Sequence, residues 1–149
     1  MERVEYINVI THGLGVVLAI AATAAMVIFA SLQGTVWHIV SFSIFGAALI
    51  LLYGASSAYH VTVSPKIRAF FQRLDHAMIF VLIAGTYTTV TLTALRGPWG
   101  WSLFGVVWGI ALISVIWKLA GIHMDKRISL GLYLALGWVV LVAVVPLVQ

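Results

Sequence analysis

The sequence predicts an all-α integral membrane bundle with its N-terminus inside, on three observations. Of the 149 residues, 63% are hydrophobic and only 8% are charged, where a soluble domain carries about 25% charged residues. A soluble fold of this size could not hide so much apolar surface and still present a wet exterior. Five stretches approach or exceed the roughly 20 apolar residues needed to cross about 30 Å of hydrocarbon. Lys and Arg are also unevenly placed: seven of the eight fall on one side of the implied topology. The length suits a single transmembrane domain over residues 1–149, since spans in a bundle share one interior.

The first stretch runs from about Ile7 to Ala30 and the second from about Trp37 to Val63, both without charge. The third covers His76 to Leu95, the fourth Trp99 to Leu119 and the fifth Ile128 to Leu147. Each is apolar nearly all round, whereas a soluble surface helix shows a single apolar stripe. The head of the first stretch, Glu2, Arg3 and Glu5, is not basic, so a retained span is expected rather than a signal peptide. Arg3, Lys66, Arg68, Arg73, Lys118, Lys126 and Arg127 lie on one side and Arg96 on the other, which places the N-terminus inside. Trp37, Trp99 and Trp101 then mark the outer interface, and Lys118 is expected to snorkel toward water at the inner one. Gly105 and Gly109 form a GxxxG pair that would let two helices approach closely. Thr86, Thr88, Thr89, Thr91 and Thr93 load span three with hydroxyls, expected to bond carbonyls of their own helix or a neighbour.

The chain has no cysteine, so a metal site would have to use His, carboxylate or hydroxyl groups. A net charge of +4 and a pI near 9.8 invite a nucleic-acid reading. The basic residues, however, are scattered over short loops and form no basic stripe interleaved with aromatics, so no nucleic-acid partner is expected.

Polar residues at membrane depth carry more information, because each costs on the order of a few kcal/mol unless satisfied. Ser56, Ser57, Tyr59 and His60 cluster at the inner end of span two, with Ser56 and His60 four apart on one helix face. Asp75 and His76 stand at the inner start of span three, where a short basic loop should bring them to the same depth. His12 and His123 also fall on the inner side, and His38 falls outside. Imidazoles and a carboxylate meeting at one level are what a zinc site requires, with the carboxylate placed to orient water or take its proton. Plainer roles exist for each. His38 and His123 suit interface positions, Asp75 suits a cap on span three, and Ser56 suits a bond to a carbonyl of its own helix.

Ser56-Ser57-Ala58-Tyr59-His60, then Arg73-Leu74-Asp75-His76, then Ala84-Gly85-Thr86-Tyr87-Thr88 resemble the hemolysin III family, within the wider group of progestin and adiponectin receptors. Thr11-His12-Gly13, Trp117-Lys118-Leu119 and Tyr133 to Trp138 add to the resemblance, which covers essentially the whole chain in order. It implies a seven-helix bundle with zinc near the cytoplasmic face, held by His60, with Ser56 and Asp75 holding and activating the zinc's water. Related families look like membrane hydrolases of lipid amides such as ceramide, while the name hemolysin III reflects a cytolytic, pore-forming role.

Thr89 stands where the family usually has proline, and the family's other two zinc-binding histidines lie on a seventh helix with no counterpart here. A C-terminally incomplete chain is therefore expected; a metal-free relative, or His12 or His76 as substitute ligand, are the alternatives. His76 follows Asp75 directly, so on a helix the two diverge by about 100°. The expected activity is zinc-dependent hydrolysis of a lipid amide or ester at the cell membrane, with a cytolysin or a non-catalytic lipid receptor as rivals. Membrane lipids, a lipid substrate and a second copy of the chain are the expected partners. With helices missing, Ser56, His60 and the threonine face would be exposed to lipid.

Overall fold

A computed structural model describes residues 3–122 and 125–141, and all the regular structure in them is helical. Five helices follow in order: α1 (Arg3–Gln33), α2 (Val36–Val61), α3 (Pro65–Thr91), α4 (Pro98–Leu119) and α5 (Lys126–Trp138). Lipid dictates this choice, because hydrocarbon offers no partner for backbone N–H and C=O and a helix satisfies them within the segment. The first four helices are long and apolar enough to cross a membrane. Helix α5 is 13 residues long. The end of the fifth predicted stretch, up to Leu147, lies outside the described residues, as does His123.

The breaks between helices follow local chemistry. Next to Gly34, the Thr35 N–H donates to His38 Nδ1 at 3.2 Å, so His38 closes the start of its own helix. Pro65 and Pro98 open α3 and α4, where a missing N–H costs nothing and a fixed φ suits the first turn. The Asp125 carboxylate caps α5 by accepting from the Arg127 N–H at 2.7 Å.

The third helix starts earlier than the apolar pattern predicts. Lys66 to Arg73, expected as a basic loop, forms its first turns. Asp75 therefore lies about three turns inside α3 and does not cap it; Ser64 holds the N-cap position. Hydropathy finds where a helix enters hydrocarbon, not where it begins in the headgroup layer.

Helix α1 packs on α2, α2 on α3, and α3 on both α4 and α5. Phe80, Ala84 and Tyr87 of α3 meet Val107 and Ala111 of α4 and Leu136 of α5 in the main core. Ala55 of α2 against Ala77 and Met78 of α3 forms a second, smaller one. Hydrogen bonds join the same helices. Trp108 Nε1 donates to Thr88 Oγ1 at 2.9 Å, and the Tyr133 hydroxyl donates to the His76 carbonyl at 2.9 Å. Lys118 Nζ, expected to snorkel, donates to Ser129 Oγ of α5 at 2.6 Å.

At the end of the bundle bearing Arg96, the Trp37 and Trp101 rings meet edge to face at 5.8 Å. The Arg96 guanidinium lies 5.4 Å from the Trp37 ring centre. Gly105 and Gly109, expected to seat a neighbouring helix, face open space among the described residues. Close helix approach occurs instead between α1 and α2. A Cβ on Gly15 would come within 2.6 Å of the Tyr53 ring, and one on Gly46 would collide with Thr23. These two glycines set how near the two helices lie.

Candidate functional site at the basic end

Antiparallel packing of α1 on α2 brings the start of one helix beside the end of the other. Glu5 in the first turn of α1 thereby reaches His60 in the last turn of α2, and His12, about two turns further along α1, reaches Ser56. His12 Nδ1 and Ser56 Oγ share a hydrogen bond of 2.6 Å. His60 Nδ1 donates to Glu5 Oε2 at 2.6 Å, and Arg68, from the first turn of α3, donates to Glu5 Oε1. The two imidazoles lie edge to face with centres 5.4 Å apart. Tyr53 packs edge-on against His12 at 6.1 Å, and Tyr59 lies 4.8 Å from His60. The Arg68 guanidinium also sits 5.0 Å from the Tyr59 ring centre. A connected polar series results, running inward from the helix ends: Arg68, Glu5, His60, His12, Ser56.

Burial makes this series chemically distinct from a surface cluster. Ser56 is 5% exposed, and the side chains of His60 and Glu5 are 14% and 20% exposed. Polar groups so placed are costly unless paired, and each of these has a partner. Ser57 Oγ, by contrast, is buried without one among the described residues. The expectation that Ser56 and His60 would face lipid is corrected: α1 covers both, because Gly15 lets it lie close against Tyr53.

The sequence-predicted residues come together in part. His60, His12 and Ser56 converge. Asp75 lies at the level of Ser56, as the register of α2 and α3 shows: Gly85 packs on Ala48 and Phe45, and the Gln72 amide reaches the Tyr59 hydroxyl at 3.5 Å. Asp75 is partly buried and takes no part in the contacts that Glu5 makes with His60 and Arg68. His76 is exposed, and its carbonyl is the acceptor for Tyr133 of α5. With the segment helical, His76 and Asp75 point apart. Among the described residues, no group of three or more His, Asp or Glu side chains stands close enough to hold one metal ion.

Glu5 and Arg68 were not singled out from sequence. A signal for Glu5 exists: it precedes His12 by seven positions, two helical turns, and so lies on the same face. Nothing in the sequence pairs Arg68 with it, because that contact depends on α3 beginning at Pro65 rather than near His76.

In chemical terms, a hydroxyl hydrogen-bonded to an imidazole can pass or receive a proton, and imidazoles beside a carboxylate can hold a metal. The chain matches the haemolysin-III related family over residues 2–149. It is 39% identical over 145 residues to a hemolysin-3 of Bacillus cereus, covering 97% of this chain and 66% of that protein. It is 41% identical over 143 residues to a hemolysin-3 homolog of Bacillus subtilis (strain 168), covering 96% of this chain and 67% of that one. The chain thus spans about two thirds of the length of the curated relatives it matches. No solved structure matches it. The chain is an integral membrane protein and belongs to the haemolysin-III related family.

Proposed function

We propose that the full-length protein is a zinc-dependent membrane hydrolase acting on a lipid amide or ester at the cytoplasmic face of the cell membrane. The observation that carries this reading is the convergence of His60, His12 and Ser56 at the basic end of the bundle, level with Asp75. For zinc, the residues present fit in part. His60 and His12 offer imidazoles whose Nδ1 atoms are both taken up by protein groups, while a catalytic site needs three protein ligands. In this reading the set is completed by residues outside the described ones, in a protein as long as its relatives.

When bound, zinc would polarise the scissile carbonyl and lower the pKa of the attacking water. The chain's own residues do the rest. Asp75 takes the proton of the attacking water at its carboxylate and returns it to the leaving nitrogen or oxygen as the bond to the carbonyl carbon breaks. Ser56 Oγ, held in place by its hydrogen bond with His12 Nδ1, donates to the substrate carbonyl oxygen, with His12 then in the tautomer that donates to Ser56. The lipid enters sideways from the bilayer, so membrane lipids are the source of substrate.

The test uses the full-length protein in nanodiscs. About one zinc per chain is expected by elemental analysis, lost in His60→Ala. Fatty-acid release from a ceramide or related lipid amide should vanish in Asp75→Asn and on chelation. Zinc unchanged in His60→Ala overturns the ligand assignment, and turnover that survives chelation overturns the metal mechanism.

The cytolytic reading, prompted by the relatives' printed name, needs a polar lumen across the bilayer. Among the described residues, the threonine set of span three would have to line it. Thr86, Thr88 and Thr91 bond carbonyls of their own helix at 2.8–2.9 Å, and Thr89 and Thr93 do likewise. Dye leakage from liposomes that persists after chelation and in His60→Ala would reverse the preference.

A further inference from the structure

We infer that Glu5 is the positioning residue for His60: it holds the imidazole in the tautomer protonated at Nδ1 and leaves Nε2, on the side of the ring away from Glu5, as the electron-pair donor. The argument starts from what each partner can accept or donate. An ionised carboxylate only accepts hydrogen bonds, so at 2.6 Å from Glu5 Oε2 the proton sits on His60 Nδ1. A neutral ring protonated there has its lone pair on Nε2, and among the described residues Nε2 has no hydrogen-bond partner.

His12 is a built-in contrast. Its partner, Ser56 Oγ at 2.6 Å, can donate or accept, so its tautomer is not set by that contact. Of the two neighbouring imidazoles, one is therefore committed and the other is not.

Two further contacts keep Glu5 in place. Arg68 engages its second oxygen, and the same guanidinium lies over Tyr59, which in turn packs against His60. Glu5 is thus held by two helices other than its own, and it turns the ring from the side opposite the position a ligand would occupy. A carboxylate behind a ligating histidine raises its basicity and fixes its orientation, and loss of such a partner costs about 10–100-fold in metal affinity. The inference rests on the proposed zinc reading only for what Nε2 meets; the tautomer itself is a property of the metal-free chain.

The experiment follows the His60 ring nitrogens by 15N NMR in the full-length protein in nanodiscs, made metal-free with a chelator, with His60→Gln to assign the signal. In the unsubstituted chain, His60 should show a protonated Nδ1 and an unprotonated Nε2. Glu5→Ala should allow the Nε2-protonated form to appear, and Glu5→Gln, which keeps the length of the side chain, should give a smaller change. Arg68→Gln loosens the same junction but leaves the carboxylate on Nδ1, so His60 should keep its tautomer; a purely structural clamp would make this variant as disruptive as Glu5→Ala. An Nε2-protonated His60 at the outset, or a ring unmoved by both Glu5 substitutions, overturns the inference.

Zinc titration of the full-length protein separates the two ideas. With positioning intact, Glu5→Ala should weaken zinc binding about 10–100-fold. Tautomer control without any zinc uptake would sink the zinc reading and leave Glu5's role standing. Tight zinc binding with a ring indifferent to Glu5 would do the reverse.

Discussion

Tyr87 shows how much one hydroxyl can do at membrane depth. It donates to the Leu136 carbonyl at 2.7 Å and accepts from the Val140 N–H at 2.6 Å. Those are the two groups that would bond each other in an unbroken helix, so the phenol is inserted into the ladder of α5 where Gly137 and Trp138 end the regular turn. An inserted side chain is a recognised cause of local distortion, and here it also pins α5 to α3. Tyr87→Phe should lower stability by about 1 kcal/mol, measured by reversible SDS unfolding in micelles. An unchanged midpoint would mean that α5 closes its own ladder without help. The sequence placed Tyr87 within a motif but could not assign this role, because the acceptor lies 49 positions away on another helix.

At the scale of elements, the site depends on how closely α1 and α2 approach. Gly15 has the Tyr53 ring against it, and Tyr53 packs in turn on His12. Gly15→Ala places a methyl group 2.6–2.9 Å from that ring and should cost about 1–3 kcal/mol through overpacking. Tyr53→Ala in the same chain should recover part of the loss, so a double-mutant cycle should give a clear coupling energy. Additive effects would show that α1 does not rest on Tyr53. The glycine pair visible in the sequence, Gly105 and Gly109, has nothing against it among the described residues. Motif spacing shows that two backbones can approach, not which helix does so.

For the whole molecule, charge and aromatic placement agree with each other. Arg96, Trp37 and Trp101 gather at one end, while Glu5, His60 and Arg68 gather at the other. The absence of cysteine makes the orientation directly testable. With the N-terminus inside, Gln33→Cys should react with a membrane-impermeant maleimide on intact cells, and Ser64→Cys only after permeabilisation. The opposite pattern would invert the topology and move the polar series to the outer leaflet. Helix α1 is about 46 Å long for its 31 residues, more than the roughly 30 Å of hydrocarbon. Its charged first turn can therefore reach headgroup level while His12 remains deeper.

Composition and apolar run length were enough to establish a helical membrane bundle, because continuous runs of about 20 apolar residues cross lipid as helices that satisfy their own backbone polar groups. The spacing of Ser56 and His60 also placed both at one end of span two, since a helix fixes which positions share a face. Which groups touch was decided only by packing. Glu5 with His60, His12 with Ser56, and Arg68 with Glu5 are contacts between residues 44 to 63 positions apart. They depend on helix rotation, on the glycines that set separation and on where α3 begins. None of these leaves a local trace along the chain, because each is a relation between surfaces rather than a property of a segment.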